Sequence, residues 1–114
     1  MATDRKAITI YGLGHALSSA AVAVNFSKPI ILLSAPAAAS SAGPAWFQSI
    51  VTQAREAHPE CDIEAILDCA AFSGHALASL RQGLKTIIYD GTADEAVENI
   101  AAKLDATVLR RRPE

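Results

Sequence analysis

The sequence predicts an α/β domain built on a parallel sheet. Short apolar runs at 6–11, 29–34, 62–68, 84–89 and 106–109 alternate with four longer stretches of helical spacing. Two of the runs, Pro29-Ile-Ile-Leu-Leu-Ser34 and Leu84-Lys-Thr-Ile-Ile-Tyr89, lack the in–out alternation of a half-solvated strand, as strands buried on both faces do. The length of 114 residues fits one domain over 1–114.

Each element has its own justification. The first strand, Lys6–Tyr11, breaks at Gly12-Leu-Gly14. A helix follows from Gly14 to Phe26 and stops at Ser27-Lys28-Pro29. After the second strand, Ala35–Ala42 reads as a small-residue loop, which either covers a ligand or is a disordered connector holding Ser40 and Ser41. Gly43-Pro44 opens a second helix, because proline suits the first helical position, and His58-Pro59 ends it. The third strand is Asp62–Asp68. A third helix runs from Ser73-Gly74 to Gly83, a left-handed cap. Thr92-Ala-Asp-Glu95 has the spacing of a capping box at the start of the fourth helix. The tail Arg110-Arg-Arg112 reads as a solvated end.

Right-handed crossovers then give a three-layer α/β/α sandwich, a five-stranded parallel sheet in the flavodoxin-like order 2-1-3-4-5. The order is an analogy to a common solution, and an open half-barrel is the alternative. A hydrophobic share of 51% against 19% charged residues supports a packed core rather than disorder. A net charge of −2 and only 5% aromatic residues argue against nucleic-acid binding. Residues 7–27 are uncharged, but Gly12, Gly14, His15, Ser18, Ser19 and Asn25 interrupt them, which argues against a membrane span. The expected compartment is cytoplasmic. Cys61 and Cys69 flank the third strand, roughly 26 Å apart in an extended chain, too far for a disulfide.

The tetrapeptide Gly-His-Ala-Leu occurs at Gly14–Leu17 and at Gly74–Leu77, each time after a strand and at a helix start, with Ser19 and Ser79 five residues beyond each glycine. In the order 2-1-3-4-5 the two segments flank one crevice at the C-terminal edge of the sheet, where open α/β sheets bind ligands. Gly12, Gly14, His15, Ser73, Gly74 and His75 are the candidate ligand-binding residues, and their free helix-start amides fit a small anion. The reading is of a binding module. A small enzyme of hydrolase, lyase or isomerase type is the alternative, with His15 or His75 as acid or base. Asp68, ending the third strand, would orient His75 or accept bonds from loop amides. Cys69 is a candidate nucleophile on the same rim. A purely structural interaction module is a third possibility.

Several familiar sites are incomplete. Leu17 replaces the third glycine of a dinucleotide loop and Ser34 the acidic residue after it, so NAD and FAD are not expected. Asp68 occupies the place of a response-regulator phosphoacceptor. The acidic pair of that family is Tyr11-Gly12 here and its lysine is Arg110, so the function is not carried over. No metal-ligand spacing is present, and no metal is expected.

Charge is unevenly spread. Residues 7–54 hold one charged side chain, Lys28, while the other 66 hold 21. The first helix, Ala16 to Phe26, is apolar nearly all round, so its outer side needs a cover. A homo-oligomer through this helix, with Trp46 and Phe47 as anchors, is the expected assembly.

Overall fold

Strands and helices alternate as β1 (Lys6–Ile10), α1 (Leu13–Asn25), β2 (Ile30–Ser34), α2 (Ala38–Ser41), α3 (Pro44–Ala57), β3 (Ile63–Asp68), α4 (Ser73–Gln82), β4 (Thr86–Ile88), α5 (Asp94–Lys103) and β5 (Thr107–Leu109). The computed structural model describes residues 6–92 and 94–113. All five strands are parallel, and in-register neighbours run Ile8 beside Leu32 beside Ala65, then Leu67 beside Ile87 beside Val108. Pro44 occupies the first turn of α3, and Gly83, at φ 109, caps α4 in the left-handed region that favours glycine. The expected capping box at 92–95 includes residue 93, which lies outside the described residues, as do Met1 to Arg5.

The strand order corrects the expectation: it is β1-β2-β3-β4-β5, not 2-1-3-4-5. Hydrophobicity explains the difference. β1 reads Lys-Ala-Ile-Thr-Ile and buries only Ile10 fully, as an edge strand does, whereas β2 reads Ile-Ile-Leu-Leu-Ser and buries four of its five residues. An interior place suits β2, and the order 2-1-3-4-5 would have put it at the edge.

A sheet that advances one strand at a time through right-handed crossovers lays its helices on one face. The packing follows that rule. α1 packs on α3, α3 on α4 and α4 on α5. The main core joins Ile10, Leu32, Leu67 and Ile87 to Ala16, Ala20, Phe47, Ile50 and Leu80. On the other face Leu33, Ile66 and Ile88 are buried in a cluster with Ala7, Ile31 and Leu109, and among the described residues no helical one belongs to it.

Two further expectations, one for a loop and one for a helix, also change. Ala38–Ser41 is a single helical turn, with Ala38 and Ala39 buried and contacts to β3 and α4. Alanines permit such close docking, so composition alone did not make this segment a free connector. Phe47 is fully buried in its own chain, so its ring serves the core and not an interface. Among the described residues no helix is long and apolar enough to cross a membrane.

Candidate functional site

The C-terminal edge of the sheet is organised by a polar knot around Asp68. Asp68 is buried at the end of β3. Its Oδ1 accepts the Ala70 N–H at 2.8 Å, and its Oδ2 accepts Nη1 of Arg112 at 2.7 Å. Arg112 Nη2 donates to Ser34 O at 2.9 Å and to Thr9 Oγ1 at 3.2 Å. Ser34 Oγ accepts the Asp68 N–H at 2.9 Å. One guanidinium thus ties the C-terminal tail to β1, β2 and β3 at once, using the fork geometry that lysine lacks. The tail is not the solvated end its composition indicates. Nearby, Arg110 donates to Gly91 O at 2.7 Å and stands 5.4 Å from the Tyr89 ring centre.

Both Gly-His-Ala-Leu segments open helices, as expected, but the sheet order keeps them apart. β2 lies between β1 and β3, so no crevice separates those two strands. Gly12, Gly14 and His15 stand at the start of α1. Ser73, Gly74 and His75 stand at the start of α4, with α3 packed against both helices. The repeat does have a local structural equivalence. Ser19 Oγ donates to His15 O at 2.8 Å, and Ser79 Oγ donates to His75 O at 2.7 Å. Ala16 and Ala76 are fully buried against the sheet. Each imidazole packs on the aromatic residue before its helix: His15 stacks on Tyr11 at 6.1 Å, and His75 meets Phe72 edge-on at 5.6 Å.

Asp68 accepts a loop amide, one of its two expected roles, and its second oxygen is engaged by Arg112. Cys69 lies in the main core with no exposed surface, its Sγ 3.5 Å from Ser79 Oγ. Burial pushes its thiol up to about 11, with the Ser79 hydrogen bond acting against it and the Asp68 charge acting with it. A thiol held protonated and covered is packing rather than a nucleophile. Cys61 is also raised, by burial first and then by Asp62 and Glu60. Both cysteines are free. Among the described residues no three His, Cys, Asp or Glu side chains gather as a metal site.

Beside this edge lies a hollow of about 350 Å³ lined by Ile10, Tyr11, Ala35, Ala38, Ala42 and Trp46. Its two aromatic members are accessible, Tyr11 at 69% and Trp46 at 39%. The α2 turn forms one wall. The hollow adjoins the start of α1, whose first turn carries no acidic residue. Sequence reasoning found Gly12–His15 but missed Thr9, Ser34 and Arg112 as a unit, and Tyr11 with Trp46 as a pair. The arginine run on an acidic chain was the available signal for the knot. The aromatic pair left none, because Tyr11 and Trp46 are 35 residues apart in sequence and share a hollow only in the fold.

The chain matches no protein family and no curated protein sequence.

Proposed function

We propose that this chain is a small-molecule binding module that holds a small anionic ligand with a flat ring at the C-terminal edge of its sheet. The observation that carries the reading is the hollow between Tyr11 and Trp46. Its volume falls in the range of ligand sites, its lining is apolar with two aromatic flanks, and it sits at the edge where parallel sheets bind ligands. Flat rings suit aromatic walls. The backbone amides at Gly12–His15 begin a 13-residue helix beside Tyr11 and fit a carboxylate or phosphate on the same ligand. The enzyme alternative is less well supported, because the carboxylate it needs is occupied: both oxygens of Asp68 are engaged. Two free thiols support a reducing, cytoplasmic setting.

Trp46 is the only tryptophan, so its emission reports on the hollow directly. Titration with a panel of aromatic carboxylates and aryl phosphates should give a saturable change for at least one compound. Tyr11→Ala should weaken that binding about tenfold, the scale of one lost aromatic contact. A panel that leaves both emission and melting temperature unmoved, or a Tyr11→Ala variant that binds as well as wild type, rejects the reading.

A further inference from the structure

We propose that the free edge of β1 and the adjoining flank of α1 form a two-fold interface with a second copy of this chain. β1 pairs only with β2 among the described residues, so a five-residue strand presents its outer backbone groups unbridged. Beside that edge α1 carries His15, Ser19 and Val22 on one helical stripe, which Phe26 continues at the C-cap. Val22 is 56% and Phe26 70% exposed. The stacked Tyr11 extends the stripe beyond the helix start. Between stripe and strand lies a hollow of about 400 Å³, where Ile8, Ile30, Val22 and Phe26 meet Lys6 and Lys28.

Charge and symmetry select a second copy as the occupant. No charged residue stands between Lys6 and Lys28, on a chain that carries 22 charged side chains in all. A surface without charge meets itself without repulsion, whereas an acidic partner would find only the two bracketing lysines. An antiparallel pairing about an axis at Ile8 sets Ile8 against its own symmetry mate and Lys6 across from Ile10. The ammonium groups of the two copies then lie at opposite ends. The same axis runs the two α1 helices antiparallel and brings Phe26 of each copy toward the Tyr11–His15 pair of the other. The apolar covering that α1 lacks within one chain is supplied, and two five-stranded sheets become one.

The footprint is a helix about 20 Å long beside a strand of about 17 Å. That is a small interface, so dissociation belongs in the micromolar range.

Sedimentation of the full chain from about 1 µM to about 500 µM spans that range. A reversible monomer–dimer equilibrium is expected, with β1 amide exchange slowing as the dimer fills. Val22→Glu and Phe26→Ser should each weaken dimerisation at least about tenfold, with circular dichroism unchanged. Leu104→Glu, at an exposed position just past the end of α5, should leave it as it is. Phe26 lies just past the helix end and is mostly exposed, so that variant keeps the test valid even where Val22→Glu disturbs α1. A chain that stays monomeric throughout overturns the proposal, including one that takes a foreign strand or an amphiphile into the hollow. So does a dimer indifferent to both α1 variants, or exchange in β1 that does not depend on concentration.

Discussion

Arg112 and Asp68 meet at 2.7 Å across 44 residues of sequence, with the carboxylate almost wholly buried and the guanidinium partly so. The pair closes the C-terminal edge of the sheet, because the same guanidinium also reaches Ser34 O and Thr9 Oγ1. Removing the arginine leaves a buried carboxylate with one amide donor and frees the tail. Arg112→Ala should therefore cost about 2–3 kcal/mol, below the full penalty of a wholly buried broken pair because solvent reaches the site. Arg112→Lys should recover less than half of that, since one ammonium cannot serve three acceptors on different strands. Urea unfolding of the three proteins measures both. Equal stability of Arg112→Ala and wild type would show that the tail is not part of the fold.

The two cysteines should behave differently toward a chromogenic disulfide reagent. Cys61 is partly exposed and Cys69 is not, so one thiol per chain should react promptly and the second only on unfolding. The pH consequence has a definite sign. Cys69 is raised in the folded chain from 9.0 to about 11. The unfolded chain then releases its proton first, and the stability Cys69 contributes is full below about pH 9 and falls as pH rises toward 11. The loss is on the order of 2–3 kcal/mol. Cys69→Ala should flatten that limb of the urea midpoint against pH, and an unaltered slope would contradict the assignment.

How much of this was legible depends on the interaction involved. Local signals carried well: Pro44 and Gly83 mark the helix ends the sequence indicates, and the five apolar runs are the five strands. Strand order did not carry, although the contrast between Lys6-Ala-Ile-Thr-Ile10 and Ile30-Ile-Leu-Leu-Ser34 contained it. An analogy to the commoner topology outweighed that contrast. The α2 turn was hidden for a different reason. Alanines are equally at home in a loose connector and in close packing, and only the surfaces of β3 and α4 decide between them. Asp68 was identified by its place at a strand end, but its partner Arg112 is set by a chain path that no local pattern reports.

Gly91 is fixed by its surroundings. A Cβ there would stand 2.5 Å from Tyr89 Oη and 2.7 Å from Ala71 O. The carbonyl is backbone and cannot swing away, and Tyr89 is buried beside Arg110. Gly91→Ala should destabilise by about 1–3 kcal/mol through overpacking. It should also loosen the Arg110 bond to Gly91 O, visible as faster amide exchange near the β5 end. A variant as stable as wild type would mean that the 89–92 turn repacks freely.

The glycines of the repeated tetrapeptide are a contrasting case, and they separate ligand from fold. A Cβ at Gly14 or at Gly74 would meet nothing within 4 Å, and both residues lie in helical first turns. Packing therefore does not require glycine at either place. Alanine should raise stability by a few tenths to about 1 kcal/mol, as helix propensity dictates. Binding should respond differently at the two sites. A methyl at position 14 stands among the α1 amides beside the Tyr11–Trp46 hollow, so Gly14→Ala should lower affinity for an anionic aryl ligand about tenfold while the melting temperature rises. Gly74→Ala should share the stability gain and leave affinity alone, because α4 begins two strands away. Thermal melts and calorimetric titrations of both variants read the two effects independently. A loss of affinity at Gly74 would return the second histidine turn to the site, and no loss at Gly14 would remove the α1 amides from it.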